Sequence, residues 1–233
     1  MIYVTASLHG CYDRYEAILK KIDLKDDDML FVLGNTVDGG DKGIEILMDM
    51  MLRPNVYPML GEHDMIAYEI LSGIERETRK DITAPLSKQL SDKCNMWLNS
   101  GGEGTMNGFA KLADDDKTAL LEYMEEFTLY EEIEADGIDF VLCHNMPENF
   151  VTGDSLENYS AEEILSGNID YEREYFPGKV LVTGNDITIE IDKNTNGKIF
   201  KNDYHVGVNC GGYMGGYTAA YCLDTGEEFY IEG

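Results

Sequence analysis

Apolar residues recur along this chain with two different periods. Short continuous apolar runs at residues 2–6, 29–33 and 55–60 read as buried strands, and segments with helical spacing stand between them. In residues 12–22, Tyr15, Ile18, Leu19 and Ile22 share one helical face, and Asp13 lies near the start, where the helix dipole favours a carboxylate. Residues 44–51 form a second helix and residues 65–71 open a third. Strand-helix alternation of this kind implies parallel pairing, with helices covering the sheet.

The pattern changes twice more. Residues 72–126 are polar, helical in spacing and poor in strand signal, and read as a mainly helical insertion. From Leu129 onward the chain turns to short strands, expected at residues 130–133, 140–143, 180–183, 188–191, around Ile199, and at 206–209, 219–223 and 228–231. Asn196-Gly197 suits a two-residue type I′ hairpin, and Thr225-Gly226 marks another tight turn. The fold predicted is α/β (α+β), a four-layer αββα sandwich of two mixed sheets flanked by helices. It is expected as one domain over residues 1–233, with the insertion at about 72–126.

Composition narrows the class. The hydrophobic share of 43% in 233 residues is ordinary for a globular chain with one sizeable core. The apolar stretches fall short of the roughly 18 to 20 residues that span a bilayer, and no basic, apolar leader opens the sequence, so a cytoplasmic protein is expected. Five cysteines without paired ligand spacing read as reduced, mostly buried thiols. The net charge of −27 is spread over the whole chain and repels phosphate backbones and anionic lipid, which excludes nucleic acid and membranes as expected partners.

Candidate chemistry gathers in loops that follow strands. Ser7-Leu8-His9-Gly10, the Gly34–Gly40 loop, Gly61-Glu62-His63-Asp64 and Val182-Thr183-Gly184-Asn185 each come after an apolar run, which sets them along one edge of a sheet. The four histidines of the chain, His9, His63, His144 and His205, all lie at the end or start of such runs. Together they suggest one site.

The order of these loops resembles the calcineurin-like metallophosphoesterases, in particular their bacterial serine/threonine protein phosphatase branch. That family reads D-x-H-G, G-D-x-x-D-R-G, G-N-H-[DE], a lone His after a strand, and G-H-T. The matching text here is Ser7 to Gly10, Gly34 to Gly40, Gly61 to Asp64, His144, and Gly184 to Ile187, with Trp97 to Gly102, Tyr175-Phe176-Pro177 and Asn209-Cys210-Gly211 similar to accessory motifs. The resemblance implies two divalent cations about 3.5 to 4 Å apart that clamp a phosphate and generate hydroxide. By the same resemblance His63 is the proton donor to the leaving group, oriented by Asp64, and His9 and His144 are metal ligands.

The chain departs from that pattern at the charged positions. Ser7 and Asn35 replace the two aspartates, Glu62 replaces the asparagine ligand, Asn185 replaces the histidine of G-H-T, and Gly39 and Asn168 replace two arginines. The resulting ligand set carries one formal negative charge where the family set carries two, which leaves two adjacent dications poorly compensated. One divalent ion (Mn, Zn, Fe or Mg) held by His9, Glu62 and His144, with Asn35 nearby, is the alternative to no metal at all. Three readings follow: a phosphatase-like pseudoenzyme that acts by binding a phosphorylated small molecule or protein; an active phosphoester hydrolase using one or an atypical pair of metals; or an acidic scaffold with a relic site.

Overall fold

The computed structural model describes all residues, 1–233. Its first half is built from β1 (Ile2–Thr5), α1 (Tyr12–Ile22), β2 (Met29–Leu33), α2 (Gly43–Met51) and β3 (Val56–Met59). The three strands pair in parallel, with Val4 opposite Phe31 and Phe31 opposite Tyr57. Alternation along each strand serves two cores. Val4, Ala6, Phe31, Leu33 and Met59 face inward between the sheets, while Tyr3, Leu30 and Val32 face outward onto Tyr15, Ile18 and Ile46 of α1 and α2. Helix α1 carries Asp13 in its first turn and Lys20 and Lys21 in its last, as its dipole favours.

Helices α3 (Glu62–Lys80), α4 (Lys88–Trp97), α5 (Glu103–Ala110) and α6 (Asp114–Glu125) stand between β3 and the rest of the strands. They bury their own apolar cluster, including Leu71, Trp97, Phe109 and Leu120, against α2. No helix is long and apolar enough to cross a membrane.

The second sheet contains β4 (Tyr130–Ala135), β5 (Ile138–Cys143), β6 (Lys179–Thr183), β7 (Phe200–Lys201) and β8 (His205–Gly207). Strands β9 (Thr218–Cys222) and β10 (Glu228–Ile231) return to the first sheet. The two sheets run β10-β9-β1-β2-β3 and β4-β5-β6-β8-β7, both mixed, and pack face to face around Val4, Leu33, Leu142, Val182 and Val206. Helices flank them, including α7 (Ala161–Ser166) in the chain between β5 and β6. This is the expected two-sheet α/β fold.

Three local expectations need correction. Residues 188–191 form a short helix, α8 (Thr188–Ile191), in place of a strand: Thr188 is fully buried while Ile189 is 45% exposed, and Thr188 and Ile191 both turn toward Gly207, which is the i, i+3 spacing of a helix. Four residues are too few for the two periods to be told apart in sequence. Asn196 and Gly197 do take positive φ (53° and 74°), but a 3₁₀ turn (Lys193–Thr195) precedes them, so they turn the chain without joining two strands. Helix α3 also begins three residues before the expected Met65, which draws Glu62 and His63 into its first turn.

Candidate functional site

Parallel strands deliver their C-terminal ends to one edge, and short loops there carry the candidate residues. Backbone bonds tie the loops together. Ser7 N donates to Gly34 O (3.1 Å), His9 N to Asn35 O (2.9 Å), Gly10 N to Thr36 O (2.9 Å) and Gly184 N to His144 O (3.2 Å). Close approach at two points requires glycine: a Cβ on Gly34 would stand 2.5 Å from His144 Nδ1, and one on Gly61 would stand 2.2 Å from Asn35 N. Seven non-glycine residues of the chain have positive φ, and four of them, Ser7, His9, Asn35 and Asp38, lie in these loops. Strain of that kind concentrates at functional sites.

The structure brings together Ser7, His9, Asn35, Asp38, His63, His144 and Asn185. Ser7 Oγ donates to Gly184 O at 2.6 Å, and Asn35 Oδ1 accepts from His63 N at 3.1 Å. His144 is fully buried; its Nδ1–H donates to Leu33 O at 2.7 Å, leaving Nε2 without a hydrogen-bond partner. Burial lowers its pKa to about 4, with the Leu33 carbonyl and the nearby Asn185 opposing the shift. Burial likewise lowers the pKa of His9 to about 4, helped by His63 and His144, so both rings are neutral at pH 7.

His63 behaves in the opposite way. Its Nδ1–H donates to Asp38 Oδ2 at 2.9 Å, and that bond is the main reason its pKa is raised. Asp38 is completely buried and further held by Trp97 Nε1–H on Oδ2 (2.8 Å) and Thr105 Oγ1–H on Oδ1 (2.8 Å). The orienting carboxylate is therefore Asp38, which corrects the assignment of Asp64. Asp64 points under the helix start, where Oδ1 accepts from Thr36 N (2.9 Å) and Val37 N (3.2 Å) and Oδ2 accepts from Gly61 N (3.0 Å). Complete burial outweighs those three bonds and lifts its pKa to about 6.

Two further expectations fail. His205 lies in mid-sheet opposite Leu181, between Tyr171 and Tyr175, with Nε2–H donating to Arg173 O at 2.7 Å. It is a packed histidine outside the site, so three of the four converge. Glu62 is exposed on the first turn of α3, while its neighbour His63 turns inward to Asp38. The proposed metal set of His9, Glu62 and His144 does not assemble, and no three His, Cys, Asp or Glu side chains come together in a group that would hold a metal ion. Ser7 and Asn35 are engaged in internal bonds, and neither carries the carboxylate that the two-metal centre of the resemblance calls for.

Trp97, marked in the sequence only as the start of an accessory-motif run, joins the site together with Thr105 and Tyr213, neither of which was singled out. Tyr213 comes from a 3₁₀ turn (Gly212–Met214), and its ring centroid lies 4.0 Å from that of His9, while His63 meets His9 edge-on at 5.0 Å. The single tryptophan was the only available signal for the first two: a Trp-to-Gly-Gly run after a polar helix.

Comparison with known proteins bears on the fold and the family. Over 86 residues the chain is 34% identical to the symmetrical bis(5'-nucleosyl)-tetraphosphatase of Enterobacter sp. (strain 638), covering 36% of this chain and 30% of the relative. Over 99 residues it is 33% identical to the protein of the same name from Salmonella paratyphi A, covering 41% and 35%. The matched stretch thus spans about a third of the length of these curated relatives. Among solved structures, a candidate diadenosine tetraphosphatase superposes with a TM-score of 0.63 at 15% identity, covering 100% of this chain and 93% of that one. A metallophosphoesterase from Sphaerobacter thermophilus superposes with 0.56 at 15% identity, covering 100% and 87%, and both show the shared fold. The family model of the calcineurin-like phosphoesterases matches residues 1–184, and the chain belongs to that family.

Proposed function

We propose that this chain binds a phosphorylated ligand, small molecule or protein, at the strand-end site and hydrolyses it at or near background rate. The observation that carries this reading is the state of Ser7 and Asn35. They stand where the resemblance requires metal-binding carboxylates, the second of them bridging, and their side chains are bonded instead to Gly184 O and His63 N. What remains for an anion is His63, whose pKa the Asp38 bond raises, and the positive end of the 19-residue helix α3. The names of the curated relatives direct the choice of ligand to test toward dinucleoside tetraphosphates.

The test is an assay with p-nitrophenyl phosphate and with a dinucleoside tetraphosphate, each with Mn²⁺ added. Turnover at background is expected, and about 1 s⁻¹ or more, the lower end of ordinary enzyme rates, would overturn it. A second reading, residual phosphoester or phosphoanhydride hydrolysis, is favoured by the His63–Asp38 pair, in which Nδ1 is bonded to the carboxylate and Nε2 would protonate a leaving oxygen. Slow turnover abolished in His63→Asn would select it.

A further inference from the structure

Two rings pack on His9, His63 in a T-shaped contact at 5.0 Å and Tyr213 tilted by 40° at 4.0 Å. Tyr213 sits at the tip of a glycine-rich loop whose base is firmly closed. Gly216 N donates to Gly211 O (2.9 Å), Tyr217 N to Cys210 O (3.1 Å), and Arg14 Nη1 to Gly216 O (3.1 Å). The tip is different in kind. Gly211 and Gly215 both take positive φ (72° and 88°), a Cβ on Gly215 would meet nothing within 4 Å, and Met214 is 69% exposed. The Tyr213 ring packs on His9 and approaches Asn209, while the backbone of the tip is seated at its two ends, buried Gly212 against Thr218 and Gly215 beside Gly233. A segment with a clamped base, positive-φ glycines and one inward-facing aromatic side chain can move at its tip while its base stays on the sheet.

We propose that Tyr213 is a built-in stopper: it occupies the face of His9 from which a ligand would reach the strand-end loops, and the Gly212–Gly215 tip swings to clear it. Opening and closing set the accessible fraction of the site, so a ligand that needs the open form binds more weakly in proportion to that fraction. The stopper itself does not depend on the proposed function, because it is defined by access to His9 and not by what is bound.

Carbethoxylation by diethyl pyrocarbonate, mapped by mass spectrometry on the full chain, reads that access. His9 is neutral at pH 7, so its labelling reports exposure and not protonation. His63, with 31% of its side chain exposed, labels in every variant, whereas fully buried His144 and His205 stay unlabelled and certify the fold. His9 is expected to label about tenfold faster in Tyr213→Ala than in the parent, as for a site open about a tenth of the time, with Tyr213→Phe like the parent. Equal His9 rates in all three proteins overturn the stopper. Calorimetric titration with inorganic phosphate supplies the second arm: about tenfold tighter binding by Tyr213→Ala supports displacement. Faster labelling with unchanged phosphate affinity overturns Tyr213 as an occupant of the ligand's place. Absence of phosphate binding in all three would count against the proposed function, and the labelling rates alone would then decide the stopper.

Discussion

Asp38 shows how one side chain organises the site. A fully buried carboxylate is costly unless hydrogen-bonded, and here His63, Trp97 and Thr105 all donate to it. Asp38→Asn removes the main cause that raises the His63 pKa, so the His63 midpoint followed by NMR should fall; an unchanged midpoint would mean that Asp38 does not control it. Thr105→Val keeps the shape but deletes the hydroxyl that donates to Asp38 Oδ1 and accepts from Asp38 N. Leaving those buried groups unpaired should cost about 1–3 kcal/mol in urea unfolding. A loss within error would show that water replaces the hydroxyl.

The loops that hold these residues depend on where backbone meets backbone. Gly61 opens α3 directly beneath Asn35, and an added methyl 2.2 Å from Asn35 N has no free space. Gly61→Ala should therefore destabilise by about 1–3 kcal/mol and shift the His63 NMR signal, because Asn35 Oδ1 holds the His63 amide. Gly178→Ala is the matched control: its φ is 79° but nothing lies within 4 Å, so only the left-handed backbone cost of about 1–2 kcal/mol applies, with no change at His63. A shift of the His63 signal in both variants would refute the local explanation. The same geometry bears on restoring the family ligands. Gly39 has φ of 77°, and although a Cβ there meets His9 Cβ at an ordinary 3.5 Å, arginine at that position is strained whatever the space.

At the scale of the whole molecule, acid stability joins the buried groups to a surface of net charge −27. His9 and His144 have folded pKa values near 4 against about 6.5 unfolded, so below pH 6.5 the unfolded chain takes up two protons that the folded chain refuses. Stability is lost as pH falls from about 6.5 to about 4. Asp64 acts in the other direction: with a folded pKa near 6, it takes up one proton in the folded state as pH falls from about 6 to its unfolded value of 3.8. Two protons against one leave a net loss on acidification from these groups. His144→Asn, which keeps a donor near the Leu33 carbonyl, should flatten the decline in unfolding free energy between pH 6.5 and 4 relative to the parent. Parallel declines in the two proteins would show that His144 is not the source.

Sequence alone determined the elements whose period is long or whose apolar run is continuous, such as α1, β2 and the β4–β5 hairpin, because one buried face repeats every 3.6 or 2 residues. It also determined where the chain departs from the family pattern, since Ser7, Asn35, Gly39 and Asn185 can be read directly in the order of the loops. Pairing was decided only by the tertiary structure. Asp64 is next to His63 in the chain, yet the helical backbone turns consecutive side chains apart: Asp64 goes under the helix to the amides of Thr36 and Val37, and His63 meets Asp38 from 25 residues away. Tyr213 reaches His9 across about two hundred residues of sequence, and His205 leaves the histidine group, because strand register fixes which loop ends meet. Periodicity is a local property of side chains, whereas hydrogen-bond partners depend on how separate strands are laid beside one another.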